Sequence, residues 1–120
     1  MKYLLMIYGN DDLWASFSPE VMQRAVADTE AFQAELKASG EWIAAYGVAD
    51  QVNCKTITVK DGTLLVTDGP YIEAKEYLGS FDIIDCESLE RALEIAAAVP
   101  FARIGSVELR PLMHESASNA

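Results

Sequence analysis

The first predicted strand, residues 2–8, limits the fold more than any other feature because it is apolar at consecutive positions. The run from Leu4 to Ile7 contains no polar residue, although successive side chains of a strand point to opposite faces. Such a strand needs apolar cover on both faces, so it belongs in the interior of a sheet. Residues 41–48 are also apolar at consecutive positions and predict a second strand with two covered faces.

A long amphipathic helix separates these two strands. Ser18 is a typical N-cap, Pro19 suits the first helical position, and Gly40 is a typical helix end. Between Pro19 and Gly40, side chains suited to the inner face of a helix recur at helical spacing. This inner stripe consists of Val21, Ala25, Thr29, Phe32 and Leu36. The sequence therefore predicts a helix over residues 19–39.

A β-hairpin is predicted over residues 54–68. Asp61-Gly62 lies at its centre and is typical of a two-residue type I′ turn. That turn fixes the pairing of the strands, and it places Lys55 opposite Asp68. An exposed ion pair at this position contributes little stability.

The last third of the chain repeats the strand–helix–strand order. A strand is predicted over residues 79–85, and Ser88 caps a helix that Pro100 ends. A final strand is predicted over residues 104–112. A turn at residues 9–12 and a loop at residues 49–53 complete the assignment.

The order βαβ, hairpin, βαβ predicts an α+β, ferredoxin-like fold with an antiparallel sheet and both helices on one face. The other face is then too apolar for water, and a sheet from a second copy is the simplest cover. We therefore predict a homodimer, built as a dimeric α+β barrel. Residues 1–114 are expected to form one domain and residues 115–120 a frayed tail.

Composition argues against several classes of function. The net charge is −10, and the nine Lys and Arg residues do not cluster, so no nucleic acid and no membrane partner is expected. No apolar run reaches ~18 residues, and the start lacks the features of a signal peptide, so a cytoplasmic location is expected. Cys54, Cys86 and His114 are too few for a usual zinc site, and no metal or cofactor is predicted.

The stretch over residues 67–81 concentrates turn formers and charged side chains, which predicts the wall of a pocket. Asp68 and Glu73 are the candidate catalytic residues, because neighbouring carboxylates can divide acid and base roles. A solvated charged turn, with Asp68 capping nearby amides, is the alternative. Four further residues are candidate ligand contacts: Tyr8, Tyr71, Lys75 and Glu76.

Glu108 and Arg110 lie two positions apart on the last predicted strand, so they share a face. Arg110 is suited to bind a small anionic ligand through two parallel hydrogen bonds. The alternative is an ion pair of Arg110 with Asp68 or Glu73 that holds the charged stretch to this strand.

Residues 68–76 read DGPYIEAKE and resemble the DGPFAETKE motif. The opening KYLLMIYG, the segment LGSF and the closing GSVELRP add to this resemblance. In these segments the chain is similar to the DGPF-motif family of YCII-related proteins. The resemblance implies a dimeric α+β barrel whose biochemical function is largely unassigned.

This chain departs from the family pattern at some positions. Tyr71 replaces Phe, Ile72 replaces Ala and Ala74 replaces Thr. The wider group is credited with a His–Asp catalytic pair, which cannot be carried over because no histidine precedes His114.

Three hypotheses for function remain open. The first is a cofactor-independent enzyme that uses Asp68 or Glu73 as a general base on a small anionic substrate. The second is a non-catalytic ligand-binding or regulatory module, since relatives are often encoded near extracytoplasmic-function sigma factors. In the third, the motif only stabilises the dimer.

Overall fold

The computed structural model describes residues 1–116. Their strands and the two longer helices follow the predicted order, and one further short helix comes after the first strand. The elements are β1 (Lys2–Gly9), α1 (Asp11–Ala15), α2 (Pro19–Ser39), β2 (Trp42–Gly47), β3 (Lys55–Lys60), β4 (Thr63–Asp68), β5 (Tyr77–Asp85), α3 (Leu89–Ala98) and β6 (Ser106–Pro111), with 3₁₀ turns at Gln51–Asn53 and Pro100–Arg103.

Four strands form the main sheet in the order β2-β5-β1-β6, with every neighbouring pair antiparallel. This is the order expected when two βαβ halves interlock in a ferredoxin-like arrangement. The predicted α+β class and antiparallel sheet are confirmed. The hairpin β3–β4 forms a separate two-stranded sheet.

The core lies between one face of this sheet and helices α2 and α3. Strand β1 contributes Tyr3, Leu5 and Ile7, and the helices cover them with a buried set that includes Phe32, Leu36, Ala92 and Ile95. Burial of each large apolar side chain stabilises the fold by about 1.5–3 kcal/mol. The predicted helix caps hold as well, since Ser18 accepts a bond from Val21 N and Ser88 accepts one from Arg91 N.

The opposite face of the sheet is also apolar. Leu4 lies directly opposite Ile83, and Met6 lies opposite Phe81, so these side chains share that face. The ring of Tyr46 on the edge strand packs 5.5 Å from that of Phe81 and stays 59% exposed. Both faces of β1 are therefore apolar, and the helices pack on the opposite face from these residues.

The segment after β1 differs from its prediction. It forms the short helix α1 (Asp11–Ala15), where the sequence predicted a turn at residues 9–12. The side chain of Asn10 accepts a hydrogen bond from Leu13 N at 2.7 Å, and Asp11 and Asp12 lie at the positive end of the helix. The cap and these charges together favour a helical turn.

The hairpin β3–β4 has the predicted pairing, with Lys55 opposite Asp68. Asp61 (φ 50°) and Gly62 (φ 78°) have the left-handed backbone of a type I′ turn. Apolar side chains on both of its faces are exposed: Ile57, Val59, Leu64, Leu65 and Val66. The hairpin projects from the body, and the radius of gyration is 16.7 Å, against about 13–14 Å for a compact chain of this length.

The predicted tail falls mainly outside the described residues, which end at residue 116. Glu115 pairs with Lys2 on β1. His114 is exposed, as expected of a tail histidine.

One buried carboxyl group interrupts the helix-side face of the sheet. Asp82 on β5 lies opposite Leu5, and its side chain is only 6% exposed. Burial raises the pKa of Asp82 from 3.8 to about 6, because a carboxylate is poorly solvated there.

Gly105 allows the close approach of the β6 entry to β1. A Cβ at this position would lie 2.7 Å from the backbone oxygen of Tyr8. We expect Gly105→Ala to lower the free energy of unfolding by about 1–3 kcal/mol. Gly47→Ala is the matched control, since a Cβ there meets nothing within 4 Å. Urea denaturation measures both, and equal stability of the two variants would contradict this packing.

Asp82 predicts a pH-dependent difference in stability. Its folded pKa lies above its unfolded pKa, so the folded state binds more protons between pH 4 and pH 6, and stability falls as pH rises through that window. Asp82→Asn removes this cost. Relative to the parent protein, the variant should gain roughly 2–3 kcal/mol between pH 4 and pH 7.

Urea melts at several pH values measure that gain. Asp61→Asn in the exposed hairpin turn is the control, because asparagine tolerates the same backbone. A stability difference between the Asp82→Asn variant and the parent that stays constant from pH 4 to pH 7 would contradict the raised pKa.

Candidate functional site

The start of the charged stretch is fixed to the base of the hairpin. Gly69 has φ 96°, a conformation that favours glycine. Its N–H donates to Cys54 O at 2.9 Å, and its carbonyl accepts a bond from Thr56 Oγ1 at 2.8 Å. The backbone therefore turns sharply away from β4 at this residue.

The end of the stretch is fixed to helix α1. Asn10 Nδ2 donates to Glu76 Oε1 at 2.9 Å, and the Tyr77 hydroxyl donates to Asp11 Oδ1 at 2.5 Å. The hydrogen bond to Asp11 is the main reason that the pKa of Tyr77 is raised. Asn10 thus caps α1 and also holds the loop.

Between these anchors, residues 69–76 form one wall of a cleft of about 610 Å³. Tyr8 and Leu78 from the sheet form another part of its lining. The segment after β2 completes it, and the full lining is Tyr8, Val48, Ala49, Asp50, Gln51, Asn53, Cys54, Pro70, Ile72, Ala74, Glu76, Tyr77 and Leu78. The predicted site residues Tyr8 and Glu76 therefore meet in one cleft.

The two catalytic candidates lie outside that lining. Asp68 pairs with Lys55, as predicted, and its side chain is 85% exposed. Glu73 is exposed in the loop and makes no hydrogen bond or ion pair within the described part of the chain. Tyr71 (82% exposed) and Lys75 are also exposed in the loop.

Glu108 and Arg110 pair with each other on β6 at 2.8 Å. The predicted ion pair of Arg110 with Asp68 or Glu73 does not form within residues 1–116. The reason is that Glu108 lies on the same face of β6, two positions from Arg110, and its carboxylate is close enough to pair with the guanidinium. Both side chains of the pair keep large exposed fractions, 66% for Arg110 and 45% for Glu108.

The chemistry of the cleft follows from its lining. Tyr8, Glu76 and Asp50 supply hydroxyl and carboxylate groups, and no lysine, arginine or histidine is part of the described lining. The cleft can hold an uncharged molecule against an apolar wall and exchange hydrogen bonds at its rim. An anion would have to be bound by Lys75 or Arg110, which lie elsewhere.

Asp82 is the candidate that sequence reasoning missed. It lines a cavity of about 300 Å³ between the sheet and helix α2. A signal was present, because an aspartate stands between Phe81 and Ile83 in a buried strand. Alternation alone did not show which face of β5 would meet the helices.

No group of three His, Cys, Asp or Glu side chains within residues 1–116 is arranged to hold a metal ion. None of the helices in that range is long and apolar enough to span a membrane.

Comparison with known proteins agrees with the fold. The chain is 32% identical over 114 residues to the uncharacterised protein R00369 of Rhizobium meliloti (strain 1021), covering 93% of this chain and 92% of that protein. A solved structure with a similar fold is the 5-chloro-2-hydroxyhydroquinone dehydrochlorinase TftG of Burkholderia phenoliruptrix AC1100, in complex with 2,5-dihydroxybenzoquinone. It has a TM-score of 0.54 and 19% identity, and the match covers 96% of each chain.

The profile of the YCII-related domain matches residues 1–116, which is the whole of the described structure. The topology, the full-length relative and this match agree, and the chain belongs to the YCII-related family.

Proposed function

We propose that this protein is a cofactor-independent enzyme that acts on a small organic molecule in the cleft beside residues 69–76. One observation carries the proposal. The charged loop is held at both ends, by Gly69 at the hairpin and by Glu76 at helix α1, and it forms a wall of a cleft of about 610 Å³. A fixed loop beside a cleft of this size is typical of a small-molecule site.

A structural neighbour supports this proposal at a coarse level. TftG has a similar fold and is named as a dehydrochlorinase of a hydroxyhydroquinone. The shared fold makes small-molecule chemistry a reasonable expectation here, while the substrate has to follow from this chain's own residues. We also propose that the chain belongs to the DGPF-motif branch of the family, because residues 68–76 differ from that motif at only three positions.

The roles follow from position. Tyr8 and Glu76 contact the ligand directly, since both line the cleft. Asp68 and Glu73 do not line the cleft, and we propose one of them as a general base at its outer rim, beside the exposed Tyr71 and Lys75. Glu108 and Arg110 lie opposite Met6 and Leu4 on the edge strand β6, and we propose that this charged pair attracts an anionic group at the edge of that sheet face.

The active form is proposed to be a homodimer. Two apolar surfaces of one chain stay at least partly exposed: the sheet face, where Leu4 and Phe81 are half-buried, and the hairpin with Val59 and Leu64. Surfaces of this extent mark interaction sites in soluble proteins. Packing two sheets face to face would bury the first surface, and the projecting hairpin would then reach the partner.

An alternative is a non-catalytic binding or regulatory module. The exposure of Tyr71 (82%) and Ile72 (72%) favours it, because these side chains suit contact with another protein. The two functions differ in one observable, namely whether the bound compound is consumed.

Ligand binding can be tested by thermal shift with a panel of small organic acids, phenols and alcohols. A compound that fits the cleft should raise the melting temperature of the parent protein by a few degrees, since ligand at ~100 times its Kd adds about 2.7 kcal/mol. Ala74→Arg should abolish the shift by filling the cleft. Lys60→Ala on the hairpin is the control and should keep it.

Consumption of the bound compound, followed by NMR, separates catalysis from binding. Asp68→Asn and Glu73→Gln should lower turnover by about 10²–10⁴-fold if the residue changed is the base, with the thermal shift retained. Turnover unchanged in both variants would exclude them as bases. A thermal shift with no turnover would support the binding module.

The homodimer can be tested by light scattering. Phe81→Glu should halve the particle mass, because it introduces a charge into the proposed interface. Ala34→Glu on the exposed side of α2 is the control and should keep the dimer mass. A parent protein of 13.1 kDa in solution would contradict the dimer.

A further inference from the structure

Asp82 is a buried carboxyl group without a partner. It is 6% exposed, and it makes no hydrogen bond or ion pair with any residue of the described range 1–116. A carboxylate in this state costs stability unless something binds it, and an apolar residue would suit the core better. The Asp82 carboxyl group forms no hydrogen bond or ion pair with the charged loop or with a neighbouring strand side chain in the described range.

The Asp82 oxygens face accessible space. No side-chain oxygen or nitrogen within residues 1–116 is both fully sealed and without a hydrogen bond. The unpaired Asp82 carboxyl must therefore keep a small accessible area, and the cavity between β5 and α2 provides it.

The size of this cavity, about 300 Å³, limits what can enter. It is roughly twice the ~150 Å³ of a cavity that holds benzene. Its apolar walls are Ile7, Phe32, Val99 and Phe101. An adjoining cleft of about 340 Å³ shares Ile7, Ser80 and Phe101 with it.

The charge of the cavity limits the ligand further. No lysine, arginine or histidine belongs to the lining that the structure describes, and the polar groups other than Asp82 include those of Thr29, Gln33 and Ser80. The Thr29 hydroxyl donates to Ala25 O at 2.8 Å and is already occupied. An anionic ligand would meet an unpaired carboxylate with no cation to offset the repulsion.

We propose that this cavity is a second binding site, in which Asp82 accepts a hydrogen bond from a small, uncharged, ring-sized molecule that carries a hydroxyl or N–H donor. The ring packs against Phe32 and Phe101, and its donor points at the carboxylate. The site lies on the helix side of the sheet, and it shares no lining residue with the cleft beside residues 69–76.

NMR titration of the ¹⁵N-labelled full chain at pH 7.5 tests this site with three probes of similar size. Benzyl alcohol carries a donor, benzyl methyl ether has none, and benzoate is an anion. Benzyl alcohol should shift the amide signals of residues that line the cavity, such as Gly47, Asp82 and Phe101. The ether should bind at least about ten-fold more weakly, the loss of one hydrogen bond to a charged group, and benzoate should cause no shift there.

Variants of Asp82 isolate the acceptor. Asp82→Leu should remove the preference for the alcohol over the ether, whereas Asp82→Asn keeps an acceptor oxygen and should retain part of it. Asp61→Asn in the hairpin turn is the control and should bind as the parent does. If Asp82→Leu does not fold, Asp82→Asn and the three probes still decide the question.

Three results would overturn the proposal. Benzoate or the ether could bind as well as the alcohol, the shifted signals could lie away from the cavity, or none of the probes could shift them. Each would mean that Asp82 does not select a donor-bearing ligand.

Discussion

The central strand β1 is the element on which the rest of the structure depends. Its inner face, with Tyr3, Leu5 and Ile7, joins both helices into one core. Its two neighbours, β5 and β6, pair with it along nearly its whole length. Because both of its faces are apolar, the chain that folds around it exposes an apolar sheet face. The proposed dimer follows from this single property.

The charged loop gains its shape from elements that are distant in sequence. Gly69 is tied to Cys54 at the hairpin, and Glu76 is tied to Asn10 at helix α1. These contacts leave most of the loop's charged side chains in water, where isolated ion pairs contribute little. The loop is therefore better suited to shaping a cleft than to supplying a buried charge, and the buried charge of this protein lies instead at Asp82.

Much of the fold could be predicted from local pattern. The caps at Ser18 and Ser88 and the turn at Asp61-Gly62 depend on hydrogen bonds and backbone angles within a few residues, so the sequence alone sufficed. Helix α1 was missed because its first turn is stabilised by one cap at Asn10, without a long apolar stripe.

The sequence by itself determined the order of strands and helices, the pairing of the hairpin and the apolar character of β1, since each follows from spacing along the chain. Only the tertiary structure decided which side chains meet. It paired Arg110 with Glu108 rather than with Asp68 or Glu73. The tertiary structure also determined that the side chain of Asp82 lies on the sheet face that packs against the helices. The reason is that the packing of the sheet on the helices chooses which face of β5 is buried, and periodicity along the strand does not carry that information.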